Sequence, residues 1–322
     1  MTATTLRPGV TLRLGSRRSP MAIAQSRLVA QQITQATGRE VEIVGVTTLG
    51  DVSRAQLTQI GGTGVFVSAL REALLNGEVD FAVHSLKDLP AVQPADISLA
   101  AVPSRDDPRD ALVARDGAKL ADLPTGARVG TGSPRRAAQL LALRDDLRCV
   151  PIRGNAGTRM EKIDAGEVDA VLLAYAGLAR LGRLGAVTQV FEPDEMLPAP
   201  GQGALAIECA ASNVELADLL RQVSDEQTVA AVTAERSLLE ALAAGCSAPV
   251  AGYAAPGNGG LEMRALVMSG DGSIMLRAHQ RVAALADARQ LGRECAVELQ
   301  RLGAADLIRV PQAPASLGND VQ

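Results

Sequence analysis

Gly77-Glu78-Val79-Asp80-Phe81-Ala82-Val83-His84-Ser85-Leu86-Lys87-Asp88-Leu89-Pro90 reads as a turn, an apolar strand and a charged strand end in unbroken succession. A short apolar run bounded by Gly and Pro suits a strand covered on both faces better than a helix. The same phrasing recurs at Gly166-Glu167-Val168-Asp169, which leads into the apolar strand Ala170–Ala174. The elements around the two copies also agree in order. Before the first, Thr11–Leu14 reads as a strand and Ser19-Pro20 as an N-cap with proline at the first helical position. Met21 to about Gln35 then has a helical pattern, and Val41–Thr47 reads as a second strand. Before the second, Ala127–Gly130 is a strand, Ser133-Pro134 opens a helix to about Leu143, and Arg148–Ile152 is a strand. Thr158-Arg159-Met160-Glu161 has the form of a capping box. Such alternation implies mostly parallel sheets with helices on their faces. The expected fold class is therefore α/β, with two related lobes and a cleft between them.

Ala204–Cys209 reads as a strand crossing back to the first lobe. Beyond Asp225 come a helix, Thr228–Ala244, strand-like runs at Val250–Ala254, Glu262–Met268 and Ser273–Arg277, and a helix near Asp287–Leu302. These make a smaller α+β domain. The expected boundaries are 1–104 with 201–222 for the first lobe, 105–200 for the second, 223–313 for the C-terminal domain, and a disordered polar tail over 314–322.

Composition narrows the class. The 322 residues carry 32 Lys plus Arg against 36 Asp plus Glu, a net charge of -4, and only Lys87, Lys119 and Lys162 are lysines. An acidic balance without basic blocks argues against a nucleic-acid partner. The longest apolar run, near Ala170–Ala179, is far short of the ~18 residues of a membrane span, so no membrane partner is expected. Met1–Gly9 lacks the apolar stretch of a secretory signal. Cys149, Cys209, Cys246 and Cys295 lie far apart and the chain has two histidines, so no metal site is expected. A reducing, cytoplasmic compartment fits that cysteine usage. No long apolar seam suggests an obligate dimer, and a monomer is expected.

Ligands of open parallel sheets collect where strands end and helices begin. Arg17 and Ser19, Ser85 to Asp88, Thr131 to Arg136, and Arg153 to Arg159 all fall at such ends. Five arginines (Arg17, Arg135, Arg136, Arg153, Arg159), Lys87 and the hydroxyls of Ser19, Ser85, Thr131 and Ser133 suit a ligand with several carboxylates or phosphates. The plainer reading puts Arg135 and Arg136 on a solvated helix face. Asp88, beside Lys87, can stay ionised and exchange a proton with an amine or stabilise a cation. Its plainer reading is a turn cap. His84 reads as a structural hydrogen-bonding residue, and Cys149, Cys209 and Cys295 as core or helix residues. Cys246 follows a helix stop expected at Gly245 and precedes Pro249, which places its thiol on a loop. Gly61–Gly64 reads equally as a mobile flap or a surface turn. These residues leave open both an enzyme and a non-catalytic anion-binding module.

Four longer motifs bear on that choice. His84-Ser85-Leu86-Lys87-Asp88-Leu89-Pro90, Arg153-Gly154-Asn155-Ala156-Gly157-Thr158-Arg159, Pro200-Gly201-Gln202-Gly203-Ala204 and Glu235-Arg236…Gly245-Cys246 resemble those of the hydroxymethylbilane synthase, or porphobilinogen deaminase, family. The resemblance runs from about Leu12 to Ile308 and keeps the family's order. It implies two lobes of the type II periplasmic-binding-protein kind, with the catalytic cleft between them, and a third domain. It implies a dipyrromethane cofactor in thioether linkage to Cys246. Four porphobilinogen molecules would be added in turn with loss of ammonia, and the linear hydroxymethylbilane released by hydrolysis. The family's catalytic acid matches Asp88, which would protonate the departing amine and stabilise the positively charged methylene-pyrrole. The arginines binding acetate and propionate groups match Arg17, Arg135, Arg136, Arg153 and Arg159, with Ser19, Lys87 and Ser133 on contacting positions. Departures are Gln59 and Thr63 where flap lysines are usual, Gly132 and Pro134 in the arginine motif, Ala24 for an aromatic, and Ala248 for a β-branched residue.

Overall fold

The first strand, β1 (Leu12–Ser16), gives way to a helix where the local chemistry requires one. Ser19 keeps extended backbone and its hydroxyl accepts the Ala22 N–H at 3.3 Å. Pro20 fills the first helical position, where an N–H would lack a partner anyway. The structure, a computed structural model, describes residues 10–46, 64–245, 248–257 and 259–309. After α1 (Pro20–Thr37) come β2 (Val41–Gly45), α2 (Gly64–Leu75), β3 (Phe81–Ser85) and β4 (Ile97–Ala101). Then follow β5 (Asp110–Ala114), β6 (Arg128–Gly130), α3 (Pro134–Leu143), β7 (Arg148–Val150), α4 (Ala156–Asp164) and β8 (Ala170–Ala174). Next are α5 (Tyr175–Arg180), β9 (Gln189–Val190), β10 (Leu205–Ala210), α6 (Val214–Leu220) and α7 (Glu226–Ala241). The chain continues through β11 (Val250–Gly257), β12 (Gly260–Met268), β13 (Met275–Val282), α8 (Ala288–Arg301) and α9 (Ala304–Arg309).

Two compact units result, Met1–Asp106 with Gly201–Val229, and Asp107–Pro200 with Ala230–Gln322. The first holds a five-stranded sheet in the order β2-β1-β3-β10-β4. β1 pairs in parallel with β2 and β3, while β10 runs antiparallel to β3 and β4. The second holds a sheet in the order β7-β6-β8-β5-β9 with the same pattern of directions. It also contains the antiparallel sheet β11-β12-β13, whose core includes Met263, Leu291 and Leu299. The fold is thus two α/β lobes, each built on one five-stranded sheet, with a smaller α+β C-terminal part. The sheets are mixed rather than mostly parallel. β5 and β10 each run antiparallel to both of their sheet neighbours, and a local apolar run carries no record of strand direction.

Two local expectations are corrected. The helix expected to be capped at Thr158 starts earlier: Asn155 Oδ1 accepts the Thr158 N–H at 3.0 Å, which makes Thr158 the third helical residue. Asparagine caps at least as well as threonine, and Gly154 at φ 108° turns the chain into it. The stop expected at Gly245 is made instead by Ala243, at φ 49°. Ala244 N–H donates to Leu239 O at 3.0 Å and Ala243 N–H to Glu240 O at 3.1 Å, the paired bonds of a Schellman turn.

Candidate functional site

In the first unit, β1 and β3 lie side by side in parallel, Leu14 opposite Phe81 and Gly15 opposite Ala82, so their carboxyl ends open together. Arg17 and Ser19 follow one strand. Ser85 closes the other, and a single 3-10 turn, Leu86–Asp88, follows it. Gln25 Nε2 of α1 donates to Ser85 Oγ at 2.7 Å, tying the two ends. Lys87 Nζ donates to Oε1 of the buried Gln202 at 3.2 Å. Gly201, at φ 75°, is held against this turn: a Cβ there would lie 2.4 Å from Leu86 Cδ2 and 3.1 Å from the Lys87 nitrogen. Gly201 and Gln202 therefore form the seat of the Ser85–Asp88 turn. Asp88 is half-buried, and among the described residues nothing donates to its carboxylate.

In the second unit, β6 and β7 take the places that β1 and β2 hold in the first, parallel neighbours with Gly130 opposite Val150. Thr131 Oγ1 accepts the Ser133 N–H at 3.2 Å, and Ser133 caps α3 by accepting the Arg136 N–H at 3.4 Å. Arg159 Nε donates to Gly154 O at 2.9 Å, while Arg153 is exposed with no partner among the described residues. A Cβ on Gly132 would stand 2.8 Å from Ile152 O and 3.9 Å from Arg159 Nη2, so the two loops meet only because that residue is glycine.

Arg135 and Arg136 do not lie on a solvated helix face; they are 4% and 5% exposed. Both reach Asp110, a fully buried residue at the head of β5, with Arg135 Nη2 2.7 Å from Oδ2 and Arg136 Nη2 2.7 Å from Oδ1. Arg136 also donates Nε to Asp110 at 2.9 Å and Nη1 to Leu172 O at 3.1 Å; Arg135 Nη1 donates to Leu197 O at 2.7 Å. Burial pulls the Arg135 guanidinium below its ordinary value; Asp110 opposes that and Arg136 adds to it. Two buried guanidiniums thus share one carboxylate, and the buried Arg135 Nε has no acceptor among the described residues.

Asp110 and a second acid, Glu208 on β10, escaped the reading of the sequence. The trace was there: each is the lone acid of an otherwise apolar strand. Glu208 is completely buried and gripped at two points by Arg71, Nη2 at 2.7 Å and Nε at 3.0 Å. Gln93 Nε2 donates to it at 2.8 Å, and His84 Nε2 lies 3.3 Å away, off the line of a good hydrogen bond. Burial alone would push its pKa up, but His84, Arg71 and Gln93 hold it at about 2. His84 is itself buried, on the same face of the sheet as Glu208. Burial raises the thiols of Cys149 and Cys209 to about 11 and that of Cys295 to about 12, so all three stay protonated. Cys246, Gln59, Thr63, Gly61 to Thr63 of the glycine stretch and the tail 314–322 lie outside the described residues.

Residues 12–218 match the family model "Porphobilinogen deaminase, dipyromethane cofactor binding domain" and 229–301 match "Porphobilinogen deaminase, C-terminal domain". The chain belongs to the porphobilinogen deaminase family. It is 58% identical over 304 residues to the porphobilinogen deaminase of Thermobifida fusca, covering 92% of this chain and 95% of that one. It is 55% identical over 315 residues to porphobilinogen deaminase 1 of Streptomyces coelicolor, covering 92% and 97%. Among solved structures, the methionine-binding protein MetQ is similar with a TM-score of 0.44 at 12% identity, over 66% of this chain and 89% of that one. The chain is accordingly a transferase of tetrapyrrole biosynthesis, a hydroxymethylbilane synthase that uses a dipyrromethane cofactor.

Proposed function

We propose that Asp88 is the catalytic acid of this porphobilinogen deaminase, and that the arginines of both lobes bind the carboxylates of cofactor and substrate. The observation that carries the reading is the burial of Arg135 against a carboxylate it must share with Arg136, in a place where a half-matched charge is costly. A ligand with a pair of carboxylates on each pyrrole supplies further anions. Arg135 and Arg136 are pre-set for it, since their stems are buried and their heads fixed by Asp110, Leu197 and Leu172. Arg153, exposed and without a partner among the described residues, offers a fork that no internal acid occupies. Arg17, Ser19, Ser85 and Lys87 would perform the same service beside Asp88, and Thr131, Ser133 and Arg159 beside Arg153.

Bound as a thioether to Cys246, dipyrromethane supplies the pyrrole carbon at which the chain is extended. Asp88 serves through its carboxylate oxygens. Protonated, it gives a proton to the departing amine of porphobilinogen; ionised, it faces the positive charge left on the substrate's methylene carbon. No group of the described protein occupies those oxygens, so they are available to substrate. We further propose the domain division 1–104 with 201–222, 105–200 and 223–313. We infer a monomer in the cytoplasm; the free thiols of Cys149, Cys209 and Cys295 support a reducing compartment.

Intact mass tests the cofactor assignment. The purified protein is expected to carry a dipyrromethane-sized adduct that maps to Cys246 and is absent from Cys246→Ala. An adduct on another residue refutes the attachment site. Asp88→Asn is expected to fold and carry that adduct while kcat falls by about 10²–10⁴, the range of a positioned acid. Near-normal turnover removes Asp88 from the role.

A further inference from the structure

The Arg71–Glu208 pair is a peculiar expense for one sheet face. Replacing a buried ion pair by well-packed apolar side chains is often neutral or stabilising, so stability is weak grounds for its presence. Its position offers a better one. Glu208 sits on β10 at the point where the register against β4 shifts, between Ile207 and Glu208. Such an irregularity re-aims a strand and must be held by something. Against β3 the register is regular: Glu208 lies opposite Ala82, Ala206 opposite His84, and Leu205 opposite Ser85. Ala82, His84, Ala206 and Glu208 thus share one face of the sheet. Arg71 comes to that face from α2, and Gln93 from the segment after the catalytic turn.

The next residues on both strands are those of the site. Leu86 N–H donates to Ala204 O at 3.0 Å, and Lys87 Nζ reaches Gln202. The Ser85–Asp88 turn is therefore only as well placed as the β3–β10 pair. The Glu208 cluster is what fixes that pair to α2 and to the chain beyond the turn. We propose that Glu208, clamped by Arg71, is a positioning residue for turnover, holding the β3–β10 pair so that the Ser85–Asp88 turn keeps its catalytic place. The proposal rests on the assignment of Asp88 as the acid. Neither Arg71 nor Glu208 need touch substrate. The acid works within hydrogen-bonding reach of one proton, so a displacement of about 1 Å is enough to cost up to 10²-fold.

The double variant Arg71→Met/Glu208→Gln removes both charges together and leaves no unpaired ion; the amide oxygen put in place of the carboxylate still accepts from Gln93. In the loaded holoenzyme, confirmed by its mass, we expect kcat to fall about 10- to 100-fold with KM within about two-fold of wild type. A merely structural loss would reduce the amount of folded, loaded enzyme and leave its kcat alone. A kcat within about two-fold of wild type overturns the proposal, as does a loss carried by KM. Arg71→Lys keeps the charge but gives up the two-point grip, and serves if the double variant does not fold. It is expected to lose kcat at unchanged KM, and wild-type kcat in it overturns the proposal equally. Asp88→Asn run alongside separates the two readings. Normal turnover there removes the acid assignment and this proposal with it. An inactive Asp88→Asn beside a normal double variant removes the positioning role alone.

Discussion

Asp110→Asn tests whether a buried carboxylate shared by two arginines organises the anion site. Asp110 accepts from Arg136 at 2.7 and 2.9 Å and faces Arg135 at 2.7 Å, with no solvent exposure. Asparagine keeps the shape and one acceptor oxygen. It turns an N–H₂ group towards one of the two guanidiniums, so that donor meets donor. Removing one partner of a buried pair costs about 3–5 kcal/mol, because the charge left behind stays desolvated. For a unit of this size each kcal/mol moves Tm by about 2–4 °C, so a fall of about 6–20 °C is expected. Scanning calorimetry of the variant at neutral pH reads it directly.

The same substitution made in two backgrounds asks what else pairs with the two guanidiniums. With dipyrromethane bound, the cofactor's carboxylates lie near Arg135 and Arg136 if those residues hold it. The penalty of Asp110→Asn is then smaller in the loaded enzyme than in Cys246→Ser, which cannot attach the cofactor. A difference of about 1 kcal/mol or more is expected, the worth of one charge-assisted hydrogen bond. A fall in Tm of less than about 2 °C in both backgrounds refutes the account of Asp110 as the buried counter-charge. Equal falls in the two refute the claim that cofactor carboxylates share in balancing the arginines.

Two further outcomes follow from the geometry. Arg153→Leu, at an exposed residue with no partner among those described, is expected to leave Tm within about 2 °C while impairing elongation at least about 10-fold in single-turnover assays. Unchanged kinetics would take Arg153 out of the anion site. Ala243→Gly removes a left-handed alanine that costs about 1–2 kcal/mol, and part of the gain is offset by the freer unfolded chain. A rise in unfolding free energy of about 0.5–1 kcal/mol is expected from denaturant titration, and a loss would show that Ala243 is not strained.

What was legible in the sequence is what is decided within a few residues. Ser19 and Ser133 cap their helices because each hydroxyl needs only the N–H three positions on. Phe81–Ser85 and Ala170–Ala174 read as strands because burial on both faces leaves an unbroken apolar run. The direction of β10 was not legible, since it depends on Leu205 finding Ser85, a pairing no local pattern records. Nor was the fate of Arg135 and Arg136, which is set by an acid at the head of a different strand. Yet the two acids were marked in a way that physics makes readable. An ionised carboxylate inside an apolar strand cannot be buried alone, so Asp110 and Glu208 each required a cation from elsewhere in the fold. In a chain with three lysines that cation had to be arginine, whose planar fork also suits two-point contact. Part of the arginine excess is therefore internal scaffolding. Arg71 belongs to it entirely, while Arg135 and Arg136 serve the scaffold and, on the reading proposed here, the ligand as well.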